Sequence, residues 1–493
     1  MITILTTTKH QQFCIDTINS VNRLNELINV NTENTKTSTK IIKIDKDTIV
    51  PTIDWNDTEV PYLFPTLKLT QKNLLTFIFY KLGNHQKAFE FVSNEDDLQM
   101  HLLIVANLQY GYPITNQQIQ FLKETSRHNL AIAYNFGIVD ENVAKKTLQN
   151  IYEDAIKNGK TDSEKLFTVK NYINLLLDNN LQKDAEKLVR SFITIAKSDE
   201  EKNALNILLS NSLMAQIAIP YDKIKLIEIM KLQEKSIVYL EQKKLKVNAG
   251  LLLINASEIA NYQNEYIKSK DLINKAILYF KEANISEFLG EATLQKAILL
   301  YTWSKNGSPQ YYKPAINTFQ NALKVFKRDT HPQKFADIHH NLALIYSEIQ
   351  VSEKEKPIWT AFCASSFKDA IKFYTKEQFP YQYAMISHNY ATALMGFPEA
   401  KLHNNLDKAF GLFEEALAVR TAKKYPFERA LTLLNQLELY WLLGNVNQKD
   451  ENKKYHEMLE KTNEIFTLVD DKILLKKAKT NLEEIKKLKS YIN

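Results

Sequence analysis

Apolar and polar positions along this chain recur in blocks of nearly constant length. Pro332-Gln-Lys-Phe335-Ala336 is followed by Asn341-Leu342-Ala343 and Tyr346. Moving on 48 residues gives Pro380-Tyr-Gln-Tyr383-Ala384, then Asn389-Tyr390-Ala391 and Leu394. Another 46 residues gives Pro426-Phe-Glu-Arg429-Ala430, then Asn435 and Tyr440. A second segment of each block keeps the same register: Phe319, Ala322 and Leu323 become Phe367, Ala370 and Ile371, then Phe413, Ala416 and Leu417. Upstream the pattern weakens but continues, with Lys275-Ala-Ile-Leu-Tyr-Phe echoing Lys235-Ser-Ile-Val-Tyr-Leu. Blocks spaced 40 to 48 residues apart predict a stack of helix pairs, in which each unit buries its apolar face only against its neighbours.

The recurring residues have packing roles. The small residue at Gly250, Gly290, Ala336, Ala384 and Ala430 lets one helix approach the next closely. Each Phe lies three residues before an Ala on the same helical face, a large-into-small contact. Pro332, Pro380 and Pro426 precede the helix by about one turn, where a missing N–H costs nothing and the fixed φ starts the helix.

On these residues the chain resembles the tetratricopeptide repeat family. Ala336 to Tyr346 reads A-x4-N-L-A-x2-Y, and Ala315 to Leu323 reads A-x3-F-x2-A-L. The longer block with its Pro-aromatic-Ala start is similar to the extended repeats of bacterial multidomain signalling and caspase-like proteins, above all over Asn404 to Val419. Arg429 departs from the aromatic and Gln295 from the Asn, and no catalytic domain is legible at either end. The resemblance implies an all-α, right-handed superhelical solenoid of antiparallel helix pairs, with the first helix of each pair lining a concave groove.

The predicted organisation has four parts. Residues 1–65 form a partly flexible N-terminal extension, with an amphipathic helix over Gln11–Ile28, a polar Asn/Thr-rich linker over Asn29–Thr39 and a short strand within Ile41–Val50. Residues 66–224 are irregular helix pairs, among them Leu74–Val92 with a turn at Gly83-Asn84, and Lys170–Phe192. Residues 225–445 carry the regular repeats. Residues 446–493 read as polar capping helices, which a solenoid needs at its ends.

Composition sharpens this picture. The chain has 493 residues but only 10 glycines and 12 prolines, which favours helices joined by short connectors. A net charge of +6 is mild, and Lys and Glu are interleaved over Glu353–Lys356 and Lys453–Glu460, a solvated face rather than a phosphate-binding stripe; this argues against nucleic-acid binding. Cys14 and Cys363 are the only cysteines, so no disulfide framework is expected. No apolar run approaches the roughly 18 residues of a membrane span, and Met1–Thr8 lacks the features of a signal peptide. A cytoplasmic protein without membrane contact is the expectation.

Catalytic chemistry finds no support. The closest glycines, Gly396 and Gly411, exclude a phosphate-binding loop, and there is no HExxH, CxxC or GxSxG. Cys363 occupies the register position of Ala315 and Ala409, a small packed site. No enzyme activity, cofactor or metal is expected. His340 and His388 hold equivalent positions one residue before the repeat Asn; too few further ligands accompany them for a metal, and they read as polar surface residues. The best binding candidates are Asn255, Gln295, Asn341, Asn389 and Asn435, with His340 and His388 beside them. The resemblance places this row in the groove. A primary amide offers a donor and an acceptor, and can pair with the backbone of an extended peptide. Alternatively each Asn bonds locally to a neighbouring helix and is part of the repeat's structural signature. The function expected is a non-enzymatic protein- or peptide-binding scaffold or adaptor. The second reading is an accessory or regulatory subunit of a bacterial signalling or defence effector whose enzymatic partner is encoded separately.

Overall fold

A computed structural model of the protein describes residues 2–32, 41–57, 59–92, 97–140, 143–218, 220–398, 404–443 and 448–492. Contacts divide the chain into two compact units, Met1–Gln263 and Asn264–Asn493, each described by itself.

The N-terminal unit departs from an all-helical start. Strand β1 (Ile2–Leu5) leads through α1 (Thr8–Asn19) to β2 (Ile28–Asn31), followed by β3 (Ile41–Asp45), β4 (Thr48–Val50) and β5 (Leu67–Lys68). The sheet runs in the order β2-β1-β3-β4-β5; β1 is parallel to β2 and β3, and the remaining pairs are antiparallel. Ile2, Ile4, Ile42, Ile44 and Ile49 are buried at alternate positions, as a sheet with one core face requires. The expected extension is therefore a folded β-α-β module. Its helix starts earlier and stops at Asn19, well short of Ile28, because the chain turns through Arg23 at φ 62° and enters β2. Of the expected linker, Asn29–Asn31 belong to β2, and residues 33–40 lie outside the described residues.

Helices follow: α2 (Gln71–Lys81) paired with α3 (His85–Glu90), then α4 (Asp97–Tyr110), then α5 (Asn116–Thr125) packed on α6 (Arg127–Phe136), and the pairs α6 with α7 (Lys145–Asn158), α8 (Asp162–Asp178) with α9 (Gln182–Phe192), and α10 (Asp199–Met214) with α11 (Lys223–Gln242), before α12 (Lys246–Tyr262). Two-residue strands β6 (Pro113–Ile114) and β7 (Ile138–Val139) pair in parallel beside α4 and α6. Gly83 takes φ 79° in the predicted turn, and the Asn84 side chain caps α3 by accepting from the Lys87 N–H. The first helices α4, α6, α8 and α10 touch one another in series. Leu74, Phe77, Ile78 and Leu102 join the sheet's isoleucines in one core.

The C-terminal unit is the regular array. It comprises α13 (Tyr266–Glu282), the pairs α14 (Ser286–Lys305) and α15 (Tyr312–Ala322), α16 (Pro332–Glu348) and α17 (Lys356–Phe373), α18 (Pro380–Met395) and α19 (Asn405–Val419), and then α20 (Pro426–Leu442), α21 (Gln448–Leu468) and α22 (Lys472–Ile492). Again the first helices, α14, α16, α18 and α20, touch in series. Pro332, Pro380 and Pro426 are the first residues of their helices rather than a turn ahead of them. Phe319, Phe367 and Phe413 are fully buried, as are Ala336, Ala384 and Ala430. At Gly290 an added Cβ would lie 2.9 Å from Val325 Cγ1 and 3.0 Å from Phe326 Cζ, so this register position packs tightly against the turn that follows α15. Where the repeat loses its aromatic, Arg429 donates to the carbonyls of Leu417 and Arg420 at the end of α19, each at 3.1 Å, and forks onto Glu464 of α21. That contact caps the carbonyl end of α19 and fastens α21. Tyr455, Met458, Ile465 and Leu474 bury against Leu433 and Leu437, closing the array with the Lys/Glu-rich terminal helices.

Candidate functional site

The repeat amides fall on successive first helices, Gln295 on α14, Asn341 on α16, Asn389 on α18 and Asn435 on α20. Most of their donors are committed within the protein. Asn341 Nδ2 bonds the Asp337 carbonyl one turn back at 2.8 Å. Asn389 Nδ2 reaches across to His340 Nε2 at 3.0 Å, and Asn435 Nδ2 reaches His388 Nε2 at 3.3 Å and Thr392 Oγ1 at 3.0 Å. Each of the last two amides thus staples one first helix to the next. Gln295 differs, since its Nε2 is buried without a partner.

His340 and His388 are interior rather than surface residues. His340 is 8% exposed and His388 is half-buried. Burial pushes His340 down to about 4; burial, with Arg420 nearby, pushes His388 down to about 3. Both rings are therefore neutral near pH 7, and accepting an amide N–H at Nε2 leaves the ring proton on Nδ1. The reason the exposed reading fails is geometric: the residue before the Asn points toward the second helices, where His388 meets the Phe413 ring edge and His340 tilts against Phe367.

Cys363 is buried, and its Sγ lies 3.2 Å from the Ala343 carbonyl. Burial raises its thiol to about 12, which removes the nucleophilic thiolate at neutral pH. Among the described residues no group of three His, Cys, Asp or Glu side chains could hold a metal ion.

In the N-terminal unit the first-helix face is already in use. Between β4 and β5 the chain runs without regular structure across α2, α4, α6 and α8, as a strap. Asn129 of α6 holds it by both ends of one amide: Oδ1 accepts the Leu63 N–H at 2.9 Å and Nδ2 donates to the Leu63 carbonyl at 2.8 Å. His128 Nε2 meets the Pro61 carbonyl at 3.0 Å, and its Nδ1 meets Thr168 of α8 at 2.9 Å. The Tyr62 hydroxyl lies 2.6 Å from His101 Nδ1 on α4. At the far end Trp55 packs edge-on to Phe167, and Lys170 of α8, only 6% exposed, pairs with Asp57 at 2.5 Å. Lys81 at the end of α2 pairs with Glu59, also at 2.5 Å. The last candidate, Asn255 on α12, lines a pocket that the strap borders at Trp55–Asp57.

No model of a known protein family matches this chain, and no curated protein does. Solved structures similar to it include Naa15/Naa10 bound to HypK-THB, at 12% identity and TM-score 0.35, with 84% of this chain and 75% of that one covered. The APC/C hetero-tetramer Cut9-Hcn1 is similar at 11% identity and TM-score 0.28 over 84% of this chain and 89% of that one. A circular tandem repeat protein is similar at 13% identity and TM-score 0.21 over 86% of this chain and 95% of that one. The helix-pair fold stated here rests on the chain's own contacts. No helix among the described residues is long and apolar enough to cross a membrane.

Asn129, His128 and Lys170 went unread in the sequence. Their partners lie on a strap that has neither helical nor strand periodicity, and the register of the regular repeats does not extend that far upstream.

Proposed function

We propose that this chain is a non-enzymatic protein- or peptide-binding scaffold that takes an extended polypeptide across its first helices. The observation that carries this reading is Asn129, one amide on a first helix pairing with both main-chain groups of Leu63. An extended segment offers a main-chain N–H and C=O at each non-proline residue, and such groups must be satisfied when they leave water. A first helix supplying amides at its exposed face meets that demand whatever the side chains of the bound segment. The protein itself thus gives an example of the recognition in question.

The test is to purify a partner by capture from the native host and to measure its affinity for the full chain and two variants. Asn255→Ala removes an amide from a first helix. Ile358→Ala alters an exposed position on the second helix α17. The first should weaken binding by about 1–3 kcal/mol, roughly five- to 150-fold in Kd, and the second should leave it unchanged. The reverse result would place the partner on the second helices and overturn the reading.

A further inference from the structure

Beside the turn of the strap at Trp55–Asp57, a pocket of about 290 Å³ opens over α8, α10 and α12. Asn174 of α8, Asn203 and Asn211 of α10, and Asn248 and Asn255 of α12 all line it. None of these amide side chains bonds to another described residue, and Asn203, 9% exposed, has its Oδ1 fully buried and unpartnered. Some other asparagines in the same unit are paired within the protein. Asn171 and Asn179 bond back to the carbonyls of Phe167 and Leu175, and Asn135 bonds Tyr152. Leaving a buried amide unpaired is costly, so Asn203 Oδ1, with the half-buried Asn174, Asn211 and Asn255 and the exposed Asn248 around the same pocket, marks a place where an occupant supplies the partners.

We infer that this pocket takes the main chain of an extended polypeptide, lying across α8, α10 and α12 beside the turn of the strap; this rests on the groove-binding reading above. Three observations choose that ligand. The walls are neutral, because the one buried cation, Lys170, is already paired with Asp57, so a strongly charged ligand finds no counter-ion. Packed helices stand about 8–10 Å apart, which equals about three residues of extended chain at 3.3 Å each, so amides on three successive first helices meet the same main-chain groups at every third residue. Asn129 with Leu63 is the same contact made within the chain, one helix earlier.

The test uses the full chain and a display library of random dodecapeptides with free termini. Peptides that bind should tolerate alanine at each of their own side chains, and should lose at least tenfold in affinity on N-methylation of the main-chain amides at contact positions. They should lose as much against the variant carrying Asn203→Ala and Asn211→Ala. That variant should melt no lower than the parent, since the amides it removes bond to nothing in the protein. Failure to enrich any peptide, equal binding to the double variant, or indifference to N-methylation overturns the inference. If enriched peptides instead lose affinity on Asn389→Ala, the polypeptide lies on the C-terminal array; the scaffold reading then survives and this pocket is not its site.

Discussion

His101, His128, His340 and His388 are all held below the ordinary imidazole range by burial, the first three to about 4 and the last to about 3. A folded pKa below the unfolded value of about 6.5 means the native state binds fewer protons between those two values. Their contribution to stability is thus complete above about pH 6.5 and is lost as pH falls toward 4. For His340 alone the shift corresponds to about 3 kcal/mol as an order of magnitude. The melting temperature should therefore drop between pH 6.5 and 4. In His340→Gln, whose side-chain oxygen can still accept from Asn389, that drop should be shallower; an unchanged slope would mean His340 carries no linkage. Arg420 is a second residue-scale case. It is buried at the register position that Phe326 and Tyr374 fill in earlier repeats, and it bonds Thr432 at 2.8 Å while its Nε stays unpartnered. A buried guanidinium with no carboxylate paired to it carries a desolvation penalty that an apolar side chain of similar size removes. Arg420→Phe should melt at or above the parent temperature, and a clear drop would show that the guanidinium is needed where it sits. The sequence register made the Asn and His positions legible as a series. Burial was not legible, because it depends on which way a residue flanking the Asn points once the second helix packs.

Among the elements, the first and second helices of residues 266–442 follow the repeat closely. The reason is that large and small residues alternate across each contact, so the packing is written into the chain. Ala384 is the place to check this. It has no solvent exposure, and at the equivalent Gly290 even one added carbon would crowd Val325 and Phe326. Ala384→Leu should cost about 1–3 kcal/mol by overpacking and lower the melting temperature, with a split transition if one interface fails first. A variant that melts like the parent would put Ala384 away from a helix contact and shift the register. The N-terminal sheet was legible only in part. The one strand expected within Ile41–Val50 is two, β3 and β4, folded back on each other after Asp45, while β1 and β2 are four residues each, too short for a pattern to stand out. Their pairing depends on β1 lying between β2 and β3, a long-range arrangement that local periodicity does not encode.

At the scale of the molecule, the account holds that stacked first helices form a surface for an extended polypeptide. In the N-terminal unit the strap occupies part of that surface and the unpaired asparagines line the next part. In the C-terminal unit Asn389 and Asn435 spend their donors on joining helices, so the row that the repeats made most conspicuous is the more structural one. The unbonded asparagines around the pocket stand in the less regular half, and of them the register pointed only to Asn255. The most direct test is amide hydrogen exchange on the full chain, with and without a purified partner at saturating concentration. The account predicts added protection concentrated on the first helices, with α8, α10 and α12 foremost and the second helices largely unchanged. Protection confined to second helices such as α9, α11 and α17, with none on α8, α10 or α12, would contradict it.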